Sequence, residues 1–260
     1  MSSTTPLNEF IVLIPARLDS TRLPRKPLAD ITGKPMVVRV AEQARKSLAK
    51  KVIVATDSTE IQAACALHQI ECVITRADHL TGTDRLAEVA QLLSLKPIDV
   101  VVNVQGDEPF IPPELINQVA ITLVTHPQVA IATAAVAIED PSDIANPHVV
   151  KVVLNHSGEA MYFSRSIIPF LRQNSPNMTK TKDATLLPNY LRHLGIYAYR
   201  ANFLLAYSQL TIAPPEVAES LEQLRALWHG YPIQVYVATQ APPGGVDTAA
   251  DLERVRALWK

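Results

Sequence analysis

The sequence predicts an α/β protein with a mostly parallel central sheet and an antiparallel insertion in its second half. Three observations lead there. Over the first half, unbroken apolar runs alternate with helix-patterned segments, and apolar runs without polar alternation are strands buried on both faces, covered by helices. After about Ala130 the apolar segments follow one another with only short connections, the spacing of antiparallel strands. Finally, the 260 residues contain no internal repeat, low-complexity tract or long linker, so residues 1–260 read as a single domain.

"FIVLIPA" (10–16) opens the pattern as a buried strand. "PMVVRVAEQARKSL" (35–48) is a helix with Pro35 in its first turn, where the missing N–H has no helical partner to lose. "KVIVATD" (51–57) is the second strand and "STEIQAACALHQ" (58–69) its helix; "CVITR" (72–76) is the third, followed by the loop "ADHLTG" and the helix "TDRLAEVAQLLSL". "DVVVNVQGD" (99–107) is the fourth strand and "PPELINQVAITLV" its helix. In the second half "VAIATAAVAI", "VVKVVLN" and "AMYFSRS" are strands, the last two joined by a hairpin turn at "HSGE". Residues 170–190 form a polar loop without periodicity, expected to be mobile or used at an interface. The strand "HLGIYAYR", a helix at 216–229, the strand "PIQVYVAT" and a helix at 248–259 complete the chain.

Composition limits the function. With 48% hydrophobic and 19% charged residues the chain can bury a large core, and its net charge of −1 argues against a nucleic-acid coat or a broad membrane-binding surface. Cys65 and Cys72 belong to no CxxC pair or Cys/His cluster and read as buried thiols of a reducing compartment. "MSSTTPLNEF" lacks the basic start of a secretory signal, and no run approaches a membrane span. The expected location is the cytoplasm, with no membrane segment and no nucleic-acid partner.

In an open α/β sheet, ligands bind outside the carboxyl ends of the strands. The loop after the first strand gathers Arg17, Arg22, Arg25, Lys26 and Lys34 against only Asp19 and Asp30. It holds neither GxxxxGK[ST] nor GxGxxG, so a phosphate there would be gripped by side chains; an ordinary solvated loop explains the charges equally well. Asp107, in "QGDEP" after the fourth strand, suits Mg²⁺, which needs few protein carboxylates, and also suits a turn after Gly106. Asp247, in "PPGGVDTAADLERV", is a second carboxylate, yet Asp247 or Thr248 could simply cap the last helix with Asp251 closing a capping box. In the helix at 216–229, Val217, Leu221, Leu224 and Trp228 form an apolar stripe, and Glu219, Glu222 and Gln223 share another face. That face, with His193 and Tyr197 from a neighbouring strand, fits either solvent or the wall of a pocket for a hydroxylated substrate.

Together the basic loop and the two carboxylates make a site for a nucleoside triphosphate with Mg²⁺. A nicotinamide enzyme would need a glycine fingerprint after the first strand, and a metal-dependent glycosyltransferase a DxD pair; neither occurs. A non-catalytic binding module would not need both carboxylates.

"IPARLDSTRLPRKPLADITGKPM", "TRADHLTGTDRLAEV", "VVNVQGDEP", "NPHVVKVV", "YFSRSIIP", "RHLGIYAYR", "LEQLRALWHG" and "GVDTAADLERVRAL" resemble, in order and from about Phe10 to the end, the 3-deoxy-manno-octulosonate cytidylyltransferases. The resemblance implies a Rossmann-like nucleotidyltransferase fold, a cytoplasmic homodimer, and the joining of CTP to 3-deoxy-manno-octulosonate (Kdo) for lipopolysaccharide assembly, with the 8-amino analogue as alternative substrate. It implies that Arg17 and Lys26 grip the CTP phosphates with Arg22 nearby, and that Pro15, Ala16 and Arg76 lie near the nucleotide. Asp107 and Asp247 would be the Mg²⁺ ligands, acting with Lys26 as the catalytic set. Gln105, Arg165, His193, Tyr197, Glu219, Glu222 and Gln223 would surround the sugar acid. One position departs from the pattern: Arg25 stands where the family's "RLPGKPL" has glycine.

Overall fold

The computed structural model describes residues 9–18, 22–79, 81–171 and 190–259; most of the polar loop expected at 170–190, together with Asp19, lies outside them. The chain forms two compact units, one of Met1–Thr125, Ile196–Gln209 and Pro242–Lys260, the other of His126–Gly195 and Leu210–Ala241. In chain order the first stretch carries β1 (Phe10–Ala16), a 3-10 turn (Lys26–Leu28), β2 (Asp30–Ile31), β3 (Lys34–Pro35), α1 (Met36–Ala44), β4 (Lys51–Thr56), α2 (Thr59–Leu67), β5 (Glu71–Ile74), α3 (Gly82–Leu92), β6 (Val100–Asn103) and α4 (Pro113–Thr125). Then follow β7 (Ile131–Ala137), α5 (Pro141–Ala145), β8 (Lys151–Leu154), β9 (Ala160–Ser164), β10 (Leu191–Arg200), α6 (Ala201–Tyr207), α7 (Pro214–Glu219), α8 (Gln223–Trp228), β11 (Ile233–Ala238) and α9 (Ala249–Leu258).

In the first unit β6, β1, β4 and β5 lie side by side and parallel, and the later half of β10 runs antiparallel along β6. Val12, Leu13 and Ile14 of β1, Ile53 and Val54 of β4 and Val101 and Val102 of β6 have no exposed surface. Burial of each such side chain is worth ~1.5–3 kcal/mol, which is why these apolar runs become the centre of the sheet. The helices start where short polar side chains satisfy their free N–H groups: Ser58 accepts from Ile61 at the start of α2, and Thr81 from Asp84 at the start of α3. In the second unit β11 is parallel to β7, and β8 pairs antiparallel with both β9 and the start of β10. The mostly parallel sheet and the later antiparallel strands agree with the expectation.

Four details differ from it. A short β2–β3 hairpin, turning through Thr32 and Gly33 at positive φ, precedes α1; Pro35 therefore stands at the N-cap, and the helix ends at Ala44 rather than residue 48. Two-residue strands are too short to leave a periodic signal. β5 is only partly buried, and Cys72 on it is half-buried while Cys65 is fully covered. The short helices α5 and α6 were not expected. Most consequential, the helix expected at 216–229 is two helices.

The break is at Ser220, which is left-handed at φ 51°. Leu221 N–H reaches back to Glu216 O at 3.2 Å, the closing bond of a left-handed helix end. The expected apolar stripe is accordingly divided: Leu221 and Leu224 are buried, whereas Val217 is 66% and Trp228 60% exposed. Glu219 and Gln223 are no longer a turn apart on one helix, and it is Gln223 that is buried while Glu222 is exposed. The two helices are tied by Arg225, whose Nε and NH2 donate to the two oxygens of Glu216 at 2.8 and 2.5 Å in a buried, bidentate pair.

Candidate active site

The loops after β1 and β6 leave adjacent parallel strands with β4 and β5 on the other side of β1. This is the point at which the strand order reverses, where an open sheet leaves a crevice at its carboxyl edge. Glycine lets the loops close on one another. A Cβ on Gly106 would lie 2.9 Å from the Pro15 carbonyl oxygen, and one on Gly245 would lie 3.1 Å from that of Asp107. Val246 N–H then donates to Asp107 O at 2.8 Å, bringing the segment before α9 alongside the loop after β6. The Gly-Gly pair thus serves a close backbone approach, and what it approaches is Asp107.

Asp107 and Asp247, 140 positions apart in the sequence, consequently meet at one cation. Lys26 Nζ donates to Asp107 Oδ2 at 2.6 Å and to Asp247 Oδ1 at 3.3 Å, and Arg22 NH2 donates to that same Asp247 oxygen at 3.0 Å. The Lys26 side chain is 16% exposed, against 31% for Asp107 and 50% for Asp247; the ammonium is sheltered while both carboxylates still face solvent. Capping of α9 falls to Thr248, whose hydroxyl accepts from Asp251 N–H as Asp251 Oδ2 accepts from Thr248 N–H. Of the two roles open to Asp247, the cap is thereby taken by its neighbour, and the Asp247 side chain is left to the cations.

The rest of the basic loop points elsewhere. Arg25 is left-handed (φ 59°) at the head of the 3-10 turn, the conformation for which glycine is the usual residue. Its NH1 and NH2 donate to Glu60 Oε1 and Oε2 at 3.2 and 2.5 Å, and this pairing raises the guanidinium pKa and lowers that of Glu60. Lys34 pairs with Glu42 on α1. Arg17 is exposed just after β1, following Pro15 and the buried Ala16. Arg76, exposed after β5, sits 3.5 Å from Asp78 and donates its N–H to Glu88 of α3. An exposed pair contributes little and is screened by salt, so Arg25→Gly is expected to keep turnover within about threefold of wild type at low and high salt alike. Steady-state kinetics at two ionic strengths check this; a tenfold loss at both would place Arg25 in the phosphate grip.

The other expected site residues divide between the units. Gln105, half-buried two residues before Asp107, and Tyr197 on β10, opposite Asn103 of β6, belong to the first. Arg165, His193, Glu219, Glu222 and Gln223 belong to the second. There Glu219 Oε1 accepts from Ser164 Oγ at 2.5 Å and Oε2 from Arg165 N–H at 2.9 Å, while Arg165 Nε donates to Glu219 O at 2.7 Å. His193 Nε2 lies 3.0 Å from Thr133 Oγ1 with its ring edge-on to Phe163. Burial lowers its pKa to about 3, so the ring is neutral near pH 7 and offers hydrogen bonds rather than charge. Gln223 is buried with no partner for its Nε2 among the described residues, an exception in folded proteins that calls for an acceptor. Sequence reasoning passed over Lys151, which reads as an ordinary strand lysine and is completely buried.

A parallel sheet whose carboxyl edge presents converging carboxylates among Lys and Arg side chains suits a nucleoside triphosphate with its metal, as nucleotidyl transfer requires. A cytidylyltransferase family model matches residues 11–235. The 3-deoxy-manno-octulosonate cytidylyltransferase of Polynucleobacter asymbioticus is 66% identical over 258 residues, 99% of this chain and 98% of its own. That of Neisseria meningitidis serogroup C is 55% identical over 254 residues, 98% of this chain and 99% of its own. A solved CMP:2-keto-3-deoxy-manno-octonic acid synthetase, in complex with CTP, matches with a TM-score of 0.85 and 43% identity over 96% of this chain and 98% of its own. A cytidylyltransferase from Leptospira borgpetersenii, at 14% identity and a TM-score of 0.59 over 96% of this chain and 85% of its own, shares the fold. The chain belongs to the 3-deoxy-manno-octulosonate cytidylyltransferase family.

Proposed function

We propose that the chain transfers the cytidylyl group of CTP to Kdo, giving CMP-Kdo and pyrophosphate. The observation that carries this reading is the convergence of Asp107 and Asp247 on Lys26 at the carboxyl edge of the sheet, in a chain of this family. CTP is the nucleotide of the solved relative's complex, and the relatives above are named for Kdo, which favours it over the 8-amino analogue.

The site suits Mg²⁺. Among the described residues no group of three or more His, Cys, Asp or Glu is arranged to hold a metal, and Mg²⁺ asks for only one or two carboxylates because it keeps waters and takes phosphate oxygens. Hard oxygen donors from separate loops already meet around a positive charge at Lys26, which supports Asp107 and Asp247 as its ligands. When bound, Mg²⁺ supplies charge neutralisation on the triphosphate. Lys26, Arg22 and Arg17 hold further positive charge beside the phosphates, with Pro15, Ala16 and Arg76 bordering the nucleotide. The anomeric hydroxyl of Kdo attacks the α-phosphorus, giving up its proton to water as the bond to pyrophosphate breaks; these cations weaken the repulsion of an anionic nucleophile and stabilise the charge that develops.

For the sugar acid, Arg165 supplies a guanidinium suited to a carboxylate. Glu219, Glu222, Gln223 and a neutral His193 of the same unit supply hydrogen bonds to hydroxyls. Gln223 Nε2, without a partner among the described residues, supports this assignment. We read the active form as a homodimer: Met161, Tyr162, Phe170, Val217 and Trp228 of the second unit are exposed, and a second copy of the chain would cover apolar side chains of this kind. A CTP-consuming enzyme with two free thiols fits the cytoplasm; among the described residues no helix is long and apolar enough to cross a membrane.

Pyrophosphate release measured with CTP, Mg²⁺ and either Kdo or its 8-amino analogue tests the reading. Release that depends on Kdo is expected. Protein that binds no CTP by calorimetry, or turns over the 8-amino sugar alone, would sink it.

A further inference from the structure

Lys151, the first residue of β8, has no exposed surface. An ammonium is held out of water only where its donors are satisfied, and here Nζ donates to three backbone carbonyls: Arg165 O at 2.6 Å, Val149 O at 2.8 Å and Asn146 O at 3.0 Å. Burial lowers its pKa, with the Glu219 and Asp143 charges acting in the opposite direction and that of Arg165 in the same one. The same backbone segments carry the Arg165 side chain. Its NH1 donates to Pro147 O at 3.0 Å, inside the 146–149 turn that Lys151 binds at both ends, and its Nε to Glu219 O at 2.7 Å. The Arg165 guanidinium is thus fixed at Nε and at NH1 by two carbonyls, one of which belongs to a turn held in place by Lys151.

We propose that Lys151 is a positioning residue of the transferase reaction: its ammonium clamps the 146–149 turn to the backbone of Arg165 and so fixes the guanidinium that meets the carboxylate of the sugar acid. The inference rests on the proposed function, because it needs Arg165 in the sugar site. No neutral side chain offers three donors on one atom at the end of a long apolar stem, and removal of the ammonium takes a hydrogen bond from each of the three carbonyls, of which Asn146 O keeps its bond from Val149 N–H at 3.1 Å, so that the turn and Arg165 are free to move apart.

The test is steady-state kinetics of the full-length protein, wild type and variants side by side. Lys151→Met keeps the stem and removes the donors. It is expected to raise the KM for Kdo about tenfold or more while the KM for CTP, and CTP affinity by calorimetry, stay within about twofold of wild type. Lys151→Arg, which retains charged donors, should recover part of the loss. Because the two residues act as one unit, Lys151→Met added to Arg165→Ala should shift the KM for Kdo by less than about twofold further. A residue that serves stability alone would move both KM values together, or add its full factor in the Arg165→Ala background, and either result overturns the proposal. Should Lys151→Met fail to fold, Lys151→Gln takes its place, and a wild-type KM for Kdo in that variant overturns it equally. Wild-type protein that releases no pyrophosphate from CTP and Kdo removes the proposed function and this inference with it; active wild type beside unaltered Lys151 variants removes the inference alone.

Discussion

Asp107→Asn and Asp247→Asn are each expected to yield a folded protein whose turnover falls on the order of 1,000-fold, a loss of about 4 kcal/mol of transition-state stabilisation. Folding should survive because neither side chain is buried and neither caps a helix. Asp107 and Asp247 keep 31% and 50% of their side-chain surface in solvent, the Val246 to Asp107 backbone bond does not involve the carboxylate, and Thr248 with Asp251 caps α9. A cap contributes only about 1 kcal/mol of stability and no chemistry, so the two roles separate cleanly. Thermal unfolding and pyrophosphate release on the same samples decide: a destabilised but active Asp247→Asn protein would move this residue back to α9, and an active Asp107→Asn protein would remove the metal from the site.

Lys26→Ala should lower kcat/KM for CTP by about 100- to 1,000-fold, the loss typical of one preorganised group facing developing charge. Lys26 lies in the 3-10 turn just after Arg25 and is 16% exposed, so its field is screened much less than that of a surface cation and the loss should persist at high salt. Without it, two carboxylates face each other with, among the described residues, Arg22 paired to Asp247. The variant is therefore also expected to bind CTP more weakly in calorimetry. An effect as small as that of Arg25→Gly would mean that the phosphates are held by Arg17 and Arg22, and that Lys26 merely bridges the aspartates.

The amino-acid sequence alone carried the parallel half of the fold, because β1, β4 and β6 are apolar runs whose burial dominates locally and the segments between them keep a helical pattern. It also determined which loops reach the ligand edge, since the carboxyl ends of consecutive parallel strands fall together. Family resemblance in the motifs added the reaction and the residues to look for. Other matters were decided only when distant segments met. Asp247 could not be told from a helix cap until Gly245 was seen to rest on the backbone of Asp107 and Thr248 to take the cap. The five cations of the first loop looked alike in a string; Glu60 and Glu42, supplied by α2 and α1, drew Arg25 and Lys34 away and left Lys26 and Arg22 with the carboxylates. The left-handed break at Ser220 escaped the helical pattern because Glu216 and Arg225 hold it through a side-chain pair that periodicity does not encode. Lys151 escaped for the same reason: residue type places lysine at the surface, and only three carbonyls brought together by tertiary packing make it possible to bury one.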